Sequence, residues 1–80
     1  MTSKNITRAL VDLAIFLEYA DQKILDTDAA IQAMEQLAER LQNLPEQEKM
    51  HLIRQLEEVS LEYGEHEGFV RALAENLDLR

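Results

Sequence analysis

Cysteine and tryptophan are absent from this 80-residue chain, proline occurs once and glycine twice. Without cysteine there is neither a disulfide nor a thiolate zinc site, the usual staples of very small domains. Scarce turn residues and the lack of period-two alternation leave no signal for strands or hairpins. No apolar run approaches the roughly eighteen residues that a membrane span requires. Basic charge is also short: 8 Lys and Arg face 16 Asp and Glu, a net charge of −8. A chain of that sign repels phosphate backbones, which argues against nucleic acid as a partner and favours a basic protein. Neither a glycine-rich phosphate loop nor a serine in a glycine-flanked elbow is present, so the chain is read as non-catalytic and without a cofactor.

What is present is helical periodicity. In the first helix Ile6, Leu10, Leu13, Leu17, Ala20 and Ile24 recur at four- and three-residue steps, the period of a helix face packed on a partner. Val11 and Ile15 lie about 140° round from that stripe, and Ala9 and Phe16 flank it, so only Arg8, Asp12 and Tyr19 form a polar edge. A helix this apolar is either central in a bundle or shares a second face with another chain, and Val11 and Ile15 are the expected homodimer contact.

Ser3 or Asn5 caps this helix, which is expected to end near residues 21–23. Asp26 opens a second helix, about 27–43, striped by Ala30, Met34, Leu37, Leu41 and Leu44. Pro45 suits the start of a third, because its missing amide hydrogen would have had no intrahelical partner there. That helix is expected to run to about Tyr63, with Leu52, Leu56, Val59 and Tyr63 inward and Gly64 as its left-handed stop. A short fourth, about 66–76, buries Phe69, Val70, Leu73 and Leu77. The expected fold is all-α: a single domain over residues 1–80, an up-down bundle of three long helices and one short, with the first central.

Charge and patterning also single out candidate sites. The first 25 residues balance three cations against three acids, so the excess acid lies downstream. Glu57, Glu58, Glu62, Glu65 and Glu67 gather near the C-terminus of the third helix, where the helix dipole disfavours anions. Met50 and Leu61 point away from its inner stripe, beside Arg54 and Glu57. Local rules broken together suggest a working surface, so these eight residues are the expected docking face for a basic partner. Glu48 and His51 form a Glu-x-x-His, the spacing by which di-metal bundles present two ligands on one side of a helix. An oxidoreductase with a di-metal centre assembled from two chains is therefore an alternative reading, and a structural oligomerisation module is another.

In size, acidity and helical class the chain resembles acyl carrier proteins, but Val59-Ser60-Leu61 lacks the aspartate that precedes their modified serine. It also resembles the small acidic immunity proteins that neutralise basic nucleases, without their paired tyrosines before a proline. An immunity or antitoxin-like inhibitor is one concrete form of the expected function, a non-catalytic acidic domain that binds a basic protein. Asp12 interrupts the only signal-like stretch, so the protein is expected in the cytoplasm.

Overall fold

The structure, a computed structural model, describes residues 3–80. Four helices follow one another: α1 (Lys4–Tyr19), α2 (Thr27–Gln42), α3 (Glu46–Ser60) and, after a 3-10 turn at Gly64–His66, α4 (Glu67–Asn76). Caps set most of these limits. Ser3 Oγ accepts the Asn5 N–H at 3.1 Å, and Asp26 Oδ2 accepts the Ala29 N–H at 3.1 Å. Each satisfies an amide that the first helical turn leaves unpaired. α1 stops sooner than its periodicity predicts because Asp21 Oδ1 takes the Lys23 N–H at 2.9 Å and builds a local turn instead. α3 also ends early. Ser60 Oγ donates back to the Glu57 carbonyl at 2.6 Å, and Gly64 sits in the left-handed region at φ +52°, opening the turn rather than closing the helix.

Interhelical contacts give the topology. Lys4 pairs with Glu58, Arg8 with Glu62 and Asp12 with Tyr63, so α1 and α3 run in the same direction, and α2 and α4 run opposite to them. The result is an up-down all-α bundle in which α1 lies between α2 and α3, while α3 packs most extensively on α4.

The core consists of Val11 and Ala14 from α1, Leu52, Leu56 and Val59 from α3, and Val70, Leu73, Ala74, Leu77 and Leu79 from α4 and its tail. Each large aliphatic side chain buried there contributes about 1.5–3 kcal/mol before entropic costs. Leu79 folds back, and the chain reaches it through Asp78 in the left-handed region at φ 56°. The Leu79 N–H bonds to the Ala74 carbonyl at 2.8 Å and the Asp78 N–H to the Glu75 carbonyl at 3.0 Å, a helix stop that ordinarily uses glycine.

Two inner faces depart from the periodicity. Thr7, Val11 and Ala14 are the buried residues of α1, whereas Ile6 and Leu13 of the expected stripe are exposed. Val11 is therefore not available as a homodimer contact, and Ile15 packs against the same core. The cause is polar. Thr7 Oγ1 donates to Gln55 Oε1 inside the α1–α3 seam, and that pair turns the helix. α2 contributes no fully buried residue: Met34, Ala38 and Leu41 are only partly covered.

Leu56→Ala is expected to lower the unfolding free energy by about 2–5 kcal/mol in urea titration, as for a filled core site emptied of three carbons. Leu61→Ala, at a position 68% exposed, is expected to change it by less than about 0.5 kcal/mol.

Candidate functional site

The acidic residues expected to form a docking face on α3 serve mainly inside the molecule. Glu58 lies 3.3 Å from Lys4 Nζ, and Glu62 takes two hydrogen bonds from Arg8, at 2.9 and 3.0 Å. Glu57 is held by Arg80, Glu67 by Arg71 at 3.2 Å, and Glu65 faces His66 at 3.9 Å. Glu58 and Glu62 sit four apart, and so do Lys4 and Arg8, so α1, set parallel to α3 and the turn that follows it, matches them pair for pair. A wheel of α3 alone shows these acids outward but does not show the cations that α1 brings to them. Met50 and Leu61 are exposed as expected, and Met50, Ile53, Arg54 and Glu57 line a shallow dent of about 270 Å³. The dent has an apolar patch, but its one acid, Glu57, is paired and Arg54 adds positive charge. It offers a basic partner little.

The same seam perturbs three ionisable groups. Hydrogen bonding and charge from Glu62 raise the pKa of Arg8, and the hydrogen bonds from Arg8 hold Glu62 below its ordinary 4.5. Burial, reinforced by a 2.9 Å hydrogen bond donated to Asp12, pushes the Tyr63 hydroxyl up to about 12.

The Glu-x-x-His pair gathers no third ligand. His51 Nε2 lies 3.1 Å from Gln55 Nε2, Glu48 is exposed, and no group of three or more Asp, Glu or His able to hold a metal occurs among the described residues. The arrangement that a di-metal centre needs is not assembled within the described part of one chain.

A different site emerges where the bundle is left open between α2 and α4. The two helices are tied at one end, where Gln42 Nε2 donates to the Leu77 carbonyl at 2.9 Å. Beyond that tie they frame a groove of about 900 Å³. Its apolar lining comes from Leu17 of α1, Ala30, Ile31, Met34 and Ala38 of α2, and Phe69 and Leu77 of the α4 region. Tyr19 stacks edge-on against Phe69, with ring centroids 5.4 Å apart, and fixes that ring at the far end. From Ala30 to Gln42 the wall spans about 18 Å, three helical turns.

Every charged residue lining the groove is an acid: Glu18, Glu35, Glu39 and Asp78. None of the four has an ion-pair partner among the described residues, in contrast to Glu57 and Glu58 of α3. Asp78 is notable because it occupies the left-handed position where glycine costs less, and there it places a carboxylate at the groove's edge. Sequence reasoning missed this site, although Ile31 and Ala38 beside a single-faced stripe signalled that α2 is apolar over a wider arc than one neighbour covers. No protein family, curated protein or solved structure matches the chain.

Two titrations follow from the seam. Because the Glu62 pKa is lowered on folding, its contribution to stability is present above about pH 4.5 and lost as the pH falls through the lower folded value. Denaturant titrations across that range should show a smaller acid loss for Glu62→Gln than for the wild type. Because the Tyr63 pKa is raised, its contribution is full below about pH 10 and lost towards pH 12. Absorbance near 295 nm should show a tyrosinate step at about pH 12 that disappears in Tyr63→Phe.

Proposed function

We propose that this chain is a non-catalytic interaction domain that takes a basic amphipathic segment of a partner protein into the groove between α2 and α4. The observation that carries the reading is the pairing of a half-covered apolar floor with four carboxylates that make no ion pair among the described residues and no cation in the lining. α2 is a 16-residue helix without one fully buried side chain, so its apolar edge gains cover when the groove is filled. Burial of that edge supplies affinity, and the carboxylates supply choice of partner and speed of encounter. The match to a basic ligand rests on this groove rather than on Glu57, Glu58 and Glu62, whose charge Arg80, Lys4 and Arg8 already oppose. An inhibitor of a basic toxin, of the immunity or antitoxin kind, is one concrete form of such a domain.

A synthetic helical peptide with leucines on one face and lysines flanking them serves as the probe. Titrated into labelled protein, it should shift the resonances of Ile31, Met34 and Phe69, and raising the salt from about 50 to 500 mM should weaken it as screening shortens the reach of the carboxylates. Glu35→Lys with Glu39→Lys should raise the Kd about five- to tenfold, whereas Glu57→Gln with Glu58→Gln should leave it unchanged. Shifts confined to α3, or an affinity indifferent to Glu35 and Glu39, would overturn the assignment. Asp78→Gly adds a second check: stability should rise by about 0.5–1 kcal/mol while peptide affinity falls.

A further inference from the structure

We infer that the groove between α2 and α4 accepts its basic helix in one direction, antiparallel to both walls, with the cations of that helix in its first two turns beside Glu39 and Asp78. This rests on the groove reading above and adds a direction to it. The two walls are parallel to each other, since α2 and α4 both run opposite to α1 and α3. Their C-terminal ends meet where Gln42, the last residue of α2, donates to the carbonyl of Leu77, the C-cap of α4. Two helix C-termini, each with a partial negative charge, therefore lie at one end of the groove, and two N-termini lie near the other, where Thr27 and Phe69 line it.

Side-chain charge follows the same polarity. Glu39, one turn before the end of α2, and Asp78, one residue past the cap of α4, line the tied end, and neither has an ion-pair partner among the described residues. The nearest cations in sequence leave them so: Arg40 of α2 is not part of the lining, and Arg80 is engaged by Glu57 and Glu75. At the other end α1 contributes Glu18 and its own C-terminus, and these face the N-termini of α2 and α4. The acids that open α2 are set against its own free amides, Asp26 by accepting the Ala29 N–H and Asp28 within the first turn. Carboxylates and carbonyl ends thus coincide at the tied end, whereas at the other end amide ends oppose the acids.

A helix of about twelve residues covers the wall from Ala30 to Gln42. Set antiparallel, its positive N-terminal end meets Glu39, Asp78 and the two carbonyl ends, and its dipole opposes those of both walls, as α2 opposes α1 and α4 opposes α3 in the bundle. The reverse setting brings a third helix C-terminus onto two others. A free helix disfavours cations in its first turns, and the carboxylates of the tied end reverse that preference on binding. A partner segment whose lysines or arginines lead is therefore selected over one in which they trail.

The leucine-lysine peptide, with its lysines spread evenly along it, tests the direction when it carries a nitroxide at its N-terminus or at its C-terminus in turn. Titrated into the labelled full chain, the N-terminal nitroxide should broaden the amide resonances of Gln42 and Asp78 most, and the C-terminal one those of Thr27 and Phe69. A peptide with lysines only in its first two turns should bind about fivefold more tightly than its isomer with lysines only in the last two. Glu39→Gln with Asp78→Asn should remove that preference, and Glu58→Gln should keep it. The reversed broadening pattern, equal broadening of both ends by either nitroxide, or tighter binding of the trailing-lysine isomer would overturn the direction while shifts at Ile31 and Met34 still uphold the groove. Absence of those shifts would overturn the groove reading and the direction together. The nitroxide readings use the unmodified chain, so they decide the matter should the double variant fail to fold.

Discussion

One buried hydrogen bond sets the rotation of α1, and much of the molecule's surface character follows from it. Thr7 is fully buried and Gln55 is 5% exposed, so each must find a partner or leave a desolvated polar group costing about 1–3 kcal/mol. They find each other, and Gln55 also reaches His51. With Thr7 facing α3, Val11 and Ala14 share its side of the helix and become core, while Lys4, Arg8 and Asp12 fall on the flank that meets Glu58, Glu62 and Tyr63. The small Ala14 and the β-branched Thr7 and Val11 allow a close seam where leucines would hold the helices apart. Ile6 and Leu13 of α1 are correspondingly displaced outward, while Leu10 and Ile15 pack against the core.

The ion pairs of that seam are exposed, and pairs of this kind contribute about 0–1 kcal/mol each. Their effect is more on register and local field than on total stability. They match α1 to α3 and the turn after it in four-residue steps and oppose the charge of Glu58 and Glu62. Glu18, Glu35, Glu39 and Asp78, along the α2–α4 groove, have no such ion pair among the described residues.

The structure therefore has a well-filled half, α3 with α4 and one face of α1, and a lightly covered one. α2 is held by partly buried contacts, a side-chain bond to Leu77 and short connections. An element with few buried apolar contacts opens at low free energy, which suits a wall that adjusts to a ligand. Among the described residues no helix is long and apolar enough to cross a membrane.

Much of this was legible in the letters, and the division has a physical basis. The four helices, their caps at Ser3 and Asp26, the inner stripe of α3, the burial of Val70, Leu73 and Leu77, and the exposure of Met50 and Leu61 all follow from local periodicity and hydrogen-bonding capacity. Such properties belong to one helix at a time. The facing of α1, the neutralisation of Glu57, Glu58 and Glu62, and the opening between α2 and α4 depend on which residues of separate helices meet. A threonine that prefers Gln55 to solvent outweighs a longer aliphatic stripe, and no pattern within residues 4–19 records that Gln55 will be there.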